Sequence, residues 1–290
     1  LNSILIGSAA PLKGIAYMVV GGAFLTANDA VLKWLTGVYL TGQIMALRGL
    51  FVLLPIAFLV WRQGGVSSLR VGSVRGQGFR AGLVVTGTFL FVTGLEYLPL
   101  ADAISITFAG PLFITAMAAA ILGEAVGWRR WAAVVVGFTG VVLIMRPGSG
   151  AMQWAALLPL AASFTGALRD IVTRHLAGRE SSVAILAVTT VTVIFAGLLT
   201  LPFGWQPVAG PDVLLFALGG ILLGSAHYCL IEAFRYAEAA LVAPFKYASI
   251  IWAVLFGFAI WGDLPDAWTL LGSAVVVASG LYILHRETRR

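Results

Sequence analysis

Windows of about 20 mainly apolar residues recur almost end to end along the chain. Ten can be drawn, at 12 to 35, 38 to 60, 78 to 97, 100 to 122, 129 to 146, 152 to 176, 182 to 203, 212 to 235, 239 to 261 and 267 to 285. Short breaks holding glycines, prolines and charges separate them. Runs this long are helices, because a membrane barrel alternates over roughly ten residues and lipid leaves any unpaired backbone unsatisfied. Composition agrees: 60% hydrophobic residues, 10% charged residues and a mean hydropathy of +0.98 do not describe a soluble surface. The expected class is an all-α polytopic membrane protein, with the lipid bilayer as its first partner.

The 34 glycines suit closely packed membrane helices, as in GFRAG (Gly78 to Gly82) and GILLG (Gly220 to Gly224). The one cysteine, Cys229, lies inside an apolar window and reads as a packing residue. The N-terminal stretch has no basic segment ahead of its apolar residues, so the first window is expected to stay in the protein.

A net charge of +6 could suggest nucleic acid, but the cations sit in short segments beside the windows, where topology explains them better. With the N-terminus in the cytoplasm, the inner segments carry Lys13, Arg62, Arg70, Arg75, Arg80, Arg129, Arg130, Arg169, Arg174, Arg179, Arg235, Arg286, Arg289 and Arg290. The outer segments carry only Lys33 and Arg146 and are otherwise acidic, with Glu96, Asp102, Asp212, Asp263 and Asp266. That bias puts both termini in the cytoplasm.

The chain also repeats itself. YLPLADAISITFAGPLFITAMAAAILGE (97 to 124) aligns with YAEAALVAPFKYASIIWAVLFGFAIWGD (236 to 263), and TANDAVLKWL (26 to 35) with ALRDIVTRHL (167 to 176). Asp29 then matches Asp170, Lys33 matches Arg174 and Asn28 matches Arg169. Each half, 1 to 147 and 148 to 290, holds five windows, an odd number, so the second enters the membrane from the opposite side. Both halves belong to one membrane domain. Inverted halves suit alternating access around a midplane site.

Ten spans in two halves, the Gly-acidic break after the fourth span of each half (Gly123-Glu124, Gly262-Asp263), and a Gly-rich last helix ending in a basic residue resemble the drug/metabolite transporter superfamily. The resemblance is to its EamA-type exporters, and among them to YddG-type exporters of aromatic and other neutral amino acids. It implies a basket of helices around a central cavity in the bacterial inner membrane. It transfers no substrate residue.

Ionisable groups within spans cost roughly 2.5 to 3.5 kcal/mol at the helix centre, so each should face a partner or a wet cavity. Arg48 could meet a substrate carboxylate, or hold a fixed structural pair. Lys246, after Pro244 and between Phe245 and Tyr247, would suit a zwitterion with an apolar side chain; the alternative is a pair with Asp170. His227 beside Tyr228 could couple transport to protons, or serve as a hydrogen-bonded structural residue. Phe108 and Trp252 lie deep enough to line a cavity, or to meet lipid, and Asn28 adds a polar contact. Asp29 and Asp170, each four residues before a cation (Lys33, Arg174), read as structural or gating charges. Pro111 and Pro244 are expected to bend their helices during gating.

The expected function is export of small neutral or aromatic amino acids and related metabolites by a secondary transporter. The same scaffold carrying nucleosides, cationic drugs or another metabolite is the alternative. H-E-x-x-H, a P-loop and a metal cluster are all missing, so an enzyme is disfavoured and neither cofactor nor metal is expected. The sequence sets no oligomeric state, and a monomer would suffice.

Overall fold

The computed structural model describes residues 2–62, 65–121, 127–146, 152–176, 181–237 and 239–288, and these hold helices, turns and no strand. The helices are α1 (Asn2–Thr36), α2 (Thr41–Arg62), α3 (Val74–Tyr97), α4 (Leu100–Thr107), α5 (Gly110–Ile121), α6 (Trp128–Met145), α7 (Met152–Leu176), α8 (Ser182–Leu198), α9 (Gly210–Tyr236), α10 (Ala239–Val242), α11 (Ala248–Trp261) and α12 (Ala267–Thr288). Among the described residues ten spans are long and apolar enough to cross a membrane, one for each window in the sequence.

Packing follows the repeat. If each span in the first half is exchanged for its counterpart in the second, the contact of α1 with α9 becomes that of α3 with α7. Likewise α2 on α9 becomes α3 on α8, and α1 on α11 becomes α5 on α7. Two contacts map onto themselves: α2 with α8 and α6 with α12. The fold is therefore two five-helix halves laced together around a pseudo-twofold axis.

Two windows are not single helices. The fourth stops at Thr107 and restarts at Gly110, and the ninth consists of α10, a 3₁₀ turn over Ala243–Tyr247 and α11. Both prolines stand at these interruptions. Pro111 is the second residue of α5 and Pro244 the second of the 3₁₀ turn, both positions whose missing amide would have had no intrahelical acceptor. Although the prolines fall six positions apart in the repeat alignment, the breaks coincide, because Phe108 aligns with Tyr247. The Thr107 carbonyl freed at the first break accepts from the Ser163 hydroxyl at 2.9 Å, so a neighbouring helix satisfies it.

Small residues set two features of the packing. A Cβ on Gly140 would lie 2.8 Å from the Gly272 carbonyl oxygen, so α6 and α12 approach backbone to backbone. GILLG behaves similarly, with Gly220 against Phe51 and Gly224 against Pro55 of α2. GFRAG does not: neither Gly78 nor Gly82 has anything within 4 Å of where a Cβ would sit, so it is not a packing motif here. At Gly262 the backbone is left-handed (φ 74°), ending α11 with hydrogen bonds from Gly262 N to Phe258 O and from Asp263 N to Gly257 O. That geometry accounts for the glycine of the Gly-acidic break in the second half; Gly123-Glu124 lies outside the described residues.

Side-chain ties close the acidic end of the bundle. Tyr39 donates to Asp212 at 2.6 Å, Gln43 exchanges hydrogen bonds with Gln206, and Arg146 pairs with Asp266 across α6 and α12.

Candidate substrate site

Asn28 and Asp29 lie in the last third of α1, next to Arg48 of α2. Arg48 is 5% exposed; its Nη1 donates to Asn28 Oδ1 at 3.2 Å and its Nη2 reaches Met45 Sδ at 3.5 Å. Asn28 Nδ2 in turn donates to Asp29 Oδ1 at 3.0 Å. The result is a relay from guanidinium through amide to carboxylate, with Asp29 and Arg48 attracting each other. Gly219 of α9 covers the stem of Arg48, and its Nε is buried without a partner. Arg48 thus faces protein, as the fixed structural pair requires, although the orphaned Nε leaves one donor to satisfy.

The matching place in the second half is built alike. Arg169 donates to Asp170 Oδ1 from Nε at 2.9 Å and from Nη2 at 2.7 Å. So in both halves the residue before the aspartate holds it, amide in one and guanidinium in the other. The expected spacing-of-four pair with Lys33 is not made. Lys33 turns to the end of α3, donating to the Leu98 and Leu95 carbonyls at 2.6 and 3.2 Å, with its ammonium 5.4 Å from the Trp261 ring. The carbonyls ending α3 are a better partner because nothing in their own helix satisfies them. The Arg174 side chain lies outside the described residues.

Lys246 makes no hydrogen bond or ion pair with a described residue. Asp170 and Arg169 both act on it electrostatically, but Asp170 is already engaged by Arg169, so the proposed Lys246–Asp170 pair does not form. Although deep among helices, Lys246 keeps accessible surface, and so do Asp29 and His227. Lys246 sits on the 3₁₀ turn one residue before Tyr247, whose ring lies 4.8 Å from that of Phe108.

The structure brings Phe108 to this junction but puts Trp252 elsewhere on the interior. Trp252 stacks on Phe256 at 6.3 Å, and its indole nitrogen is buried without an acceptor. His227 Nδ1 bonds the Leu223 carbonyl one turn back at 2.8 Å, which requires the hydrogen on Nδ1. The charges acting on His227 are Arg169, Arg48 and Arg80. Tyr228, the next residue, acts electrostatically on Tyr17 of α1.

Arg80 is the member the sequence reading missed as an interior group. It bridges Thr173 of α7 (2.8 Å) and Thr189 of α8 (2.7 Å). Its position two residues inside the third window was the available signal. Arg48 of α2 thus serves the α1–α2–α9 junction, while Arg80 of α3 serves α7–α8–α3, where Arg169 of α7 is also present. No group of three or more His, Cys, Asp or Glu among the described residues could hold a metal.

Two interlocked five-helix halves with polar groups buried at their junction are the architecture of a multi-pass membrane protein of the transporter type. The EamA-like transporter family matches twice, over residues 12–146 and 153–285, and the chain belongs to that family. A riboflavin transporter of Rhizobium johnstonii is 31% identical, over 100% of this chain and 96% of that protein. An S-adenosylmethionine uptake transporter of Rickettsia felis is 26% identical, over 96% and 94%. A pseudopaline exporter of Pseudomonas aeruginosa is 26% identical, over 92% and 94%. A crystal structure matches with a TM-score of 0.66 at 20% identity, over 97% of this chain and 99% of the other, and shares the fold.

Proposed function

We propose that this protein is a secondary transporter for a small metabolite consisting of a flat nitrogen heterocycle on a polar chain, with riboflavin the first compound to test. The observation that carries the reading is Lys246: an ammonium with no hydrogen bond or ion pair among the described residues, on a helix break and one residue from the Phe108–Tyr247 ring pair. A cation beside aromatic faces can hold a polar group of the cargo while the rings contact its flat part. End-to-end similarity to transporters named for riboflavin and S-adenosylmethionine supports that class, since both compounds have such a heterocycle and chain. In this reading the carrier is one domain of two opposed halves, 1 to 147 and 148 to 290. Its arginine-rich end and both termini lie in the cytoplasm of a bacterial cell.

Export of aromatic or neutral amino acids is the second reading, and Lys246 favours it because a substrate carboxylate would be the natural counter-ion of its ammonium. A cationic cargo fits less well. The carboxylates it would need, Asp29 and Asp170, are held by Asn28 and Arg169.

Flux into protein-loaded liposomes, with riboflavin, S-adenosylmethionine, phenylalanine and an organic cation offered in turn, tests the reading. Each arm is run with and without a pH gradient, which decides whether His227 or another group couples protons. Saturable riboflavin flux supports the first reading, and phenylalanine flux alone replaces it with the second.

A further inference from the structure

On the outer face of the bundle, far in sequence from Lys246 and Arg48, α6 and α12 leave a groove of about 390 Å³ between them. It is lined by Trp128, Ala132 and Val136, one face of α6 at four-residue spacing, and by Ala278 and Tyr282 of α12, with Ala133 and Ser279 at its floor. The groove exists because these floor and wall residues are small where larger ones would fill the seam. From Trp128 to Val136 it runs about 12 Å along α6, from the first turn into the apolar middle. Trp128 and Val136 are 74% and 51% exposed, so the groove opens on the bilayer and acyl chains are its natural filling.

The mouth carries charge. Arg129 belongs to the lining, with its guanidinium 5.5 Å from the Trp128 ring, and Arg286 reaches Tyr282 with its guanidinium 5.9 Å from that ring and its Nε 3.4 Å from the hydroxyl. Neither arginine pairs with a carboxylate among the described residues. Buried Arg130 ties the two helices at this level by donating to the Arg286 carbonyl at 3.4 Å. Two guanidiniums beside aromatic rings at the end of an apolar trough match a lipid whose headgroup is a phosphate without a compensating cation.

We infer that the α6–α12 groove is a binding site for an anionic phospholipid, with an acyl chain against Ala132, Val136 and Ala278 and the phosphate between Arg129 and Arg286. The test reconstitutes the full chain in bilayers of equal phosphatidylglycerol and phosphatidylcholine, extracts it gently and weighs the retained lipid by native mass spectrometry. The wild type is expected to retain phosphatidylglycerol over phosphatidylcholine by roughly 5-fold or more, the size of one basic side chain near a membrane surface. Arg129→Gln with Arg286→Gln brings the ratio near parity, whereas Arg70→Gln with Arg75→Gln, which removes equal charge elsewhere at the same end, leaves it unchanged. Ala278→Leu, which fills the groove without touching charge, lowers retention of both lipids. Equal retention of the two lipids by the wild type would overturn the inference. So would an equal effect of the control pair, or recovery of a lipid-free dimer that Ala278→Leu dissociates, which would make a second copy the occupant.

Discussion

Phe108 and Tyr247 occupy the same position in the two repeats, and their rings meet with centroids 4.8 Å apart. Phe108 follows α4 and Tyr247 ends the 3₁₀ turn ahead of α11, so the equivalent junctions of the two halves meet at the pseudo-twofold axis. A carrier that alternates by exchanging its halves needs such a pivot, because residues on the axis can keep their contact while everything around them changes sides.

Phe108 is 7% exposed, so Phe108→Ala should destabilise the protein by about 3 kcal/mol or more. Tyr247→Ala should cost less in its presence than alone, with a coupling of about 1 kcal/mol from the lost ring pair. Thermal unfolding of the two single variants and the double variant in detergent measures this. Strict additivity would mean that the rings are neighbours without an energetic link.

Asp29 and Arg48 form a charge pair relayed through Asn28. Removing one charge leaves the other buried, so Asp29→Ala should cost about 3 kcal/mol, while Asp29→Ala with Arg48→Met should recover most of it. Unfolding midpoints give the comparison. If the double variant is as unstable as the single one, the two charges do not act together.

The Arg146–Asp266 clasp lies outside the spans and titrates. Partial burial pushes the Asp266 carboxyl up, but the Thr269 amide and Arg146 together hold it below its ordinary 3.8. A lowered folded pKa gives stability that is present above 3.8 and lost as pH falls through the lower folded value. The difference in unfolding temperature between wild type and Asp266→Asn should therefore hold constant from neutral pH down to about 5 and close below about 4. A gap that closes near neutrality would assign the effect to another group.

Pro111 and Pro244 begin the second segments of the interrupted spans. Replacing both with alanine permits the helices to run on, and should slow maximal transport several-fold with little change in unfolding temperature, roughly as hinge substitutions do. Unchanged rates in a folded protein would remove the prolines from the gating account.

Much of this was legible in the sequence because the bilayer imposes it. Ten windows and the five-plus-five division followed from apolar length and self-alignment, and the family from the resemblance carried by the Gly-acidic breaks and the Gly-rich last helix. The site was less legible, because helical spacing reports which residues share a face and not which helix lies opposite. Lys33 and Asp29 are properly spaced for a pair, yet the carbonyls ending α3 attract the lysine away. Arg80 read as a cytoplasmic loop charge, and only the packing of α3 on α7 and α8 made it an interior bridge. The equivalence of the breaks was similarly hidden, since the prolines that suggested them are out of register.

The central claim is that a cargo's polar group meets Lys246 inside this carrier, and riboflavin uptake by liposomes containing wild type or Lys246→Gln tests it most directly. The account predicts saturable uptake by the wild type and about a 10-fold loss of kcat/KM in the variant, the worth of one charge-assisted hydrogen bond. Flux in the variant equal to that of wild type, for riboflavin and for every other compound the wild type carries, would contradict it.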